Sequence, residues 1–197
     1  NHGEIVFLFL LISLILWFYS SRIKKRFLWG NLVVAVLAGL IPLTVITFEI
    51  PLLSDVYSEV VLKTHVGFAY VFYWTLCFSF FLFINMLIYE INKDIYSING
   101  DRADGIVTLP VKYGITTTRR IIIALIAVAV LSLITFLLVG FICTPVIWIY
   151  FVIALIIPYL IYGYSVLKND RMKFQLRMIR LIMVLCIGVS MFCKLCE

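Results

Sequence analysis

Glu90, Asp94, Ser97 and Asp101 follow one another at spacings of four, three and four residues. On a helix those spacings stack the side chains along one face. Carboxylates brought together in this way repel one another and call for a counterion. Mg²⁺ suits the need, since it takes oxygen ligands and is typically held by one or two carboxylates plus substrate phosphates. Lys93, Arg102 and Lys112 lie close by in the chain and could hold the remaining phosphate oxygens. The same residues also read as a solvated helix end, with Glu90, Lys93 and Asp94, then Asp101, Arg102 and Asp104, as ordinary surface charge. On spacing alone both readings stand.

The elements that must position these residues are set by composition. Of 197 residues, 64% are hydrophobic and 13% charged, and the mean hydropathy is +1.16. A soluble domain carries about 45–50% apolar and about 25% charged residues, so a water-soluble globule and a disordered chain are both excluded. The sequence predicts an all-α, polytopic transmembrane helical bundle, a single membrane domain over residues 1–197. Six apolar runs are long enough to span: roughly 4–19, 28–48, 65–89, 120–139, 145–164 and 176–193. They lack the alternation of barrel strands. Pro42 and Pro158 fall inside spans, where kinked membrane helices tolerate proline.

Charge then orients the bundle. Fourteen of the sixteen Lys and Arg residues lie in the first, third and fifth connections and the start of the sixth span; only Lys63 and Lys194 lie on the other side. This is the positive-inside pattern, which makes the basic side cytoplasmic and turns both chain ends outward. It also accounts for the net charge of +6 without nucleic acid. Glu49, Asp55 and Glu59 fall on the outer side as loop charge. The first run has no basic segment before it and no small-residue cleavage site after it, so it reads as a span, not a signal peptide. The chain begins with Asn1, and truncation of a longer polypeptide is the simplest account of that start.

The carboxylates sit where the third span reaches the basic side. Gly100 and Gly105 predict a helix end and a loop that continues through Pro110 and Gly114, a lid or a plain connector. Thr116–Thr118 then supply an N-cap for the next span. Other candidates are weaker. His2 and His65 are single histidines near the outer face. Cys193 and Cys196 form a lone C-x-x-C without a second pair. Arg22, Lys24, Lys25 and Arg26 read as a topology signal or as a diphosphate contact.

The string from Asn85 to Gly114 resembles the second Asp-rich region of the UbiA superfamily of intramembrane prenyltransferases. The agreement is strongest at Glu90, Lys93–Asp94–Ile95, Gly100–Asp101–Arg102, Gly105, Thr108–Leu109–Pro110 and Gly114. Tyr19–Lys24 and Gly30–Val34 are similar to the basic loop and following helix of that family. The flavour is closest to the geranylgeranylglycerol-phosphate geranylgeranyltransferase-like branch. The resemblance implies a nine-helix bundle, of which six spans are present, around a lipid-open cavity in a cell inner membrane. It implies Mg²⁺-dependent transfer of a polyprenyl group from a prenyl diphosphate to a lipid or aromatic acceptor. Asp94 and Asp101 would be the catalytic, metal-binding carboxylates, with Glu90 and Ser97 in support. Arg22, Lys24, Lys93, Arg102 and Lys112 would hold the diphosphate.

Two departures stand out. The family's first three helices and first Asp-rich motif have no counterpart here. Ser97 occupies a position where the family's second motif usually has an acid, which predicts weaker Mg²⁺ binding. The alternatives are a relative that binds prenyl lipid without turnover and a multi-span transporter subunit.

Overall fold

The computed structural model describes residues 27–64, 68–138, 145–168 and 172–193, with isolated helical positions at Leu10, Ser13, Leu14 and Trp17. Apart from those four positions the expected first span lies outside the described residues, as does the Arg22–Arg26 cluster. What is described is helical almost throughout: α1 (Trp29–Thr64), α2 (Phe68–Ala103), α3 (Leu109–Leu138), α4 (Pro145–Tyr150), a π-helical stretch (Phe151–Ile156), α5 (Ile157–Lys168) and α6 (Met172–Cys193). Four helical segments among the described residues are long and apolar enough to cross a membrane: Trp29–Glu49, Phe72–Ala103, Leu109–Thr135 and Trp148–Lys168. The protein is an integral-membrane helical bundle.

Several expected boundaries move. Glu49, Asp55 and Glu59, expected in a loop, lie within α1, which runs on through Pro51 to Thr64. The expected loop after Gly100 shrinks to Asp104–Thr108, because α2 continues to Ala103 and α3 starts at Leu109. Pro110 belongs to the first turn of α3, where a missing N–H costs nothing. The expected N-cap at Thr116–Thr118 falls inside α3, just past its break at Gly114. Gly114 takes φ 82° there, and the Thr118 hydroxyl donates to the Gly114 carbonyl at 2.9 Å.

The π stretch has a local cause. Pro158 has no N–H to donate and its ring crowds the carbonyl four residues earlier. The chain responds one turn ahead of it, where the Ile157 N–H bonds to the Val152 carbonyl, five residues back. α4, the π stretch and α5 thus continue as one rod across the expected kink.

α2 sits at the centre, packed against α1, α3 and α6, while α3 and α6 both touch α5. Ile88 and Ile91 of α2, Ile122 and Leu133 of α3, Tyr159 and Tyr162 of α5 and Ile182 of α6 are almost fully buried. Two polar rungs join α2 to α5. The Tyr159 hydroxyl donates to Asn85 Oδ1 at 2.7 Å, and Asn92 Nδ2 donates to the Tyr162 hydroxyl at 3.1 Å. Asn85 and Asn92 are seven residues apart and so share one face of α2. Tyr159→Phe would leave Asn85 Oδ1 buried without its donor. Membrane hydrogen bonds of this kind contribute on average about 0.6 kcal/mol, and at most about 1.7. A loss in that range is expected from unfolding curves in detergent, with helix content unchanged.

Candidate functional site

α2 is about 54 Å long, longer than a hydrocarbon core of about 30 Å. Its uncharged part, residues 68–89, is by itself about 33 Å long, enough to cross that core, so the charged turns from Glu90 to Ala103 at the end of the candidate span Phe72–Ala103 fall outside the hydrocarbon. Gly105 fixes the end of the helix. It adopts φ 68°, its N–H bonds to the Arg102 carbonyl at 3.3 Å, and the Ile106 N–H bonds to the Asp101 carbonyl at 2.8 Å. This pair of bonds is a Schellman cap, which needs a left-handed residue at the glycine position. The cap holds the Asp101 backbone in place and brings Thr108 back onto the helix end.

Asp94 and Asp101 lie two turns apart on one face, about 10 Å along the axis. Each is held by neutral donors. Asn31 of α1 donates from Nδ2 to Asp94 Oδ2 at 2.6 Å. Ser97 donates to Asp101 Oδ2 at 3.1 Å, and Thr108 to the same oxygen at 3.3 Å. All three bonds go to Oδ2. Burial pushes the Asp94 carboxyl up to about 6; the Asn31 hydrogen bond and Lys93 oppose the rise, while the charges of Asp101 and Glu90 add to it.

The remaining expected site residues fall out differently. Lys93 is tied to Glu90, Nζ lying 2.9 Å from Oε2 and 3.2 Å from Oε1. Glu90 itself is buried. These two side chains thus neutralise each other at the base of the projecting turns. Arg102 is exposed. The Lys112 ammonium lies 4.6 Å from the Phe27 ring centre and 5.2 Å from that of Tyr113, a cation–π arrangement at the start of α1. Arg22 and Lys24 lie outside the described residues. Among the described residues, no three His, Cys, Asp or Glu side chains converge on one point.

Asn31 and Thr108 are site residues that the carboxylate spacing does not reveal. Both fall in the blocks that carry the family resemblance, which was the available signal.

An apolar cavity of about 500 Å³ lies between α1 and α2, with Ser132 of α3 at its edge. Leu76, Phe80 and Phe83 form its α2 wall, and Val36 and Leu43 lie opposite on α1. Phe83 precedes Asp94 by 11 residues and Asp101 by 18, which returns it to the carboxylate face of the helix. At Gly39 the two helices close up: a Cβ there would stand 3.0 Å from the Ser79 carbonyl oxygen and 3.1 Å from Phe83 Cβ.

These features define a polytopic membrane protein in which one face of α2 carries carboxylates at its C-terminal end and, further along, lines an apolar cleft. The chain matches the UbiA prenyltransferase family over residues 3–185 and belongs to that family. It is similar to proteins named digeranylgeranylglyceryl phosphate synthase. The one from Methanosphaera stadtmanae is 31% identical over 163 residues, covering 79% of this chain and 48% of the relative. Those from Methanothermobacter thermautotrophicus and Thermococcus sibiricus are 31% and 32% identical, over 52% and 55% of this chain and 29% and 32% of the relatives. The chain thus spans about half or less of the length of these curated relatives. No solved structure matches it significantly. The family read from residues 85–114 and 19–34 is the one that matches.

Proposed function

We propose that the protein transfers a polyprenyl group from its diphosphate to a lipid or aromatic acceptor within the membrane, with the acidic site on the cytoplasmic side. The observation that carries this reading is the continuity of one face of α2, from Asp101 and Asp94 down to Phe83, Phe80 and Leu76 in the cleft. Such a face can hold a charged diphosphate and a long apolar chain at once. The names of the relatives favour a prenylated glyceryl phosphate as acceptor and a geranylgeranyl group as the one transferred.

Mg²⁺ fits the donor set. The donors are oxygens, and the hydrogen bonds described leave Oδ1 of both Asp94 and Asp101 to a cation. Asp94 and Asp101 stand too far apart along α2 to share one ion, so each would supply an anionic oxygen to its own Mg²⁺, with diphosphate oxygens and water completing each shell. Ser97 donates its O–H to Asp101 and keeps its lone pairs for a bound water. Bound Mg²⁺ would offset the charge that grows on the leaving diphosphate. Lys112 and Arg102, with Arg22, Lys24 and Lys93, would engage the outer phosphate oxygens. The apolar walls would keep water from the allylic carbon while the acceptor oxygen or ring carbon forms the new bond and sheds its proton.

The test is pyrophosphate release from geranylgeranyl diphosphate by the full polypeptide in nanodiscs, with a set of acceptors, in Mg²⁺ and in chelator. Release that requires Mg²⁺ and an acceptor is expected. A second reading, a relative that binds prenyl lipid without turnover, rests on Ser97 standing where the family has an acid. Under that reading the parent releases nothing and Ser97→Asp restores release.

A further inference from the structure

A second groove lies between α3 and α5, away from the acidic face of α2. It has a volume of about 540 Å³ and is lined by Ile123, Ala127 and Leu131 of α3 and by Leu160, Gly163 and Leu167 of α5, among others. Leu131, Leu160 and Leu167 are each more than 60% exposed, so the groove opens outward, and its lining lies within the candidate spans Leu109–Thr135 and Trp148–Lys168. It extends for about 12 Å along each helix. Gly163 lines it from α5 without a side chain to fill it.

One end of the groove is basic. The Lys168 ammonium lies 5.8 Å from the ring centre of Tyr164, itself a lining residue. Arg120 stands one turn from Ile123, on the side of α3 that faces the groove. The two are level. A Cβ at Gly163 would lie 3.9 Å from Ile126 Cγ2, which sets the register. α3 leaves the basic side and α5 returns to it, so Lys168 falls opposite Ile121. Arg120 then differs from Lys168 in level along the helix axis by about one helical rise, roughly 1.5 Å. Both cations are exposed, and among the described residues no acid lines the groove.

We infer that this groove binds an anionic glycerophospholipid of the bilayer. The phosphate headgroup sits between Lys168 and Arg120, and an acyl chain lies along the cleft past Tyr164 and Gly163. Basic residues at the end of an interhelical cleft, on the leaflet side rich in Lys and Arg, are suited to such headgroups. The site is independent of the carboxylate face and does not rest on the proposed transfer.

The test is native mass spectrometry of the full chain released from nanodiscs of equimolar phosphatidylglycerol and phosphatidylcholine. Preferential retention of phosphatidylglycerol is expected. Lys168→Gln and Arg120→Gln should each lower that preference about fivefold, and both are surface changes that leave packing intact. Gly163→Leu should fill the cleft and abolish retention; its Cβ meets Ile126 only at ordinary contact distance. Equal retention of the two lipids overturns the proposal. So does an unchanged preference in the Lys168→Gln, Arg120→Gln double variant. Crosslinks between copies through cysteines placed at Leu131 and Leu160 overturn it as well, because a second chain would then occupy the cleft.

Discussion

Asp101→Asn is expected to lower prenyl transfer by about two to three orders of magnitude while leaving the helix end intact. The substitution keeps an oxygen for the Ser97 and Thr108 hydroxyls, which donate to Asp101 at 3.1 and 3.3 Å. The backbone cap at Gly105 does not involve the side chain. What is lost is the negative charge. A cation bound at the site would lose an anionic ligand, and the stabilisation that a metal gives to a charged leaving group is worth several kcal/mol. Each 1.36 kcal/mol is about a factor of ten in rate. The loss should show as a lower rate of pyrophosphate release across a Mg²⁺ titration, with unchanged thermal stability in detergent. Activity near that of the parent would remove Asp101 from the site.

The carboxylate face was legible because a helical period is a short-range signal. Glu90, Asp94, Ser97 and Asp101 are neighbours on α2 by geometry alone, and α2 forms there as the spacing predicts. The same period links Asp94 to Phe83 and hence to the cleft. What could not be read is what stands opposite. Asn31 reaches Asp94 from 63 residues away, and no local pattern encodes which turn of α1 meets which turn of α2. That register is set by close approach at Gly39, against Ser79 and Phe83. Proline misled at α3 for a local reason. Pro110 reads as a loop residue when the helix start is sought at the apolar run, yet it is well suited to a first turn. The helix begins eleven residues before the apolar run does, carrying Lys112 onto the Phe27 ring. Family membership, not geometry, favours the transferase reading over the transporter alternative: an acidic helix end and an apolar cleft on one helix face do not by themselves separate a transferase from a lipid carrier.

Asn31→Ala is expected to raise the Mg²⁺ concentration for half-maximal activity by about 10- to 100-fold, the usual cost of losing a side chain that orients a metal ligand. Asn31 is buried, and its amide gives Asp94 a neutral donor at 2.6 Å. The donor does two things. It turns the carboxylate so that Oδ1 is left for a cation, and it favours the anion against burial and against the charges of Asp101 and Glu90. Without it the carboxylate is free to rotate and is more readily protonated, and both effects oppose metal binding. Neither changes the chemistry once the metal is bound. The rate at saturating Mg²⁺ should therefore fall far less than the half-saturation concentration rises. That split separates Asn31 from Asp101, whose replacement lowers the rate even at high Mg²⁺. A purely structural role for Asn31, docking α1 on α2, would instead reduce stability and maximal rate together and leave the Mg²⁺ dependence where it was. Measuring half-saturation, maximal rate and melting temperature on one preparation distinguishes the two.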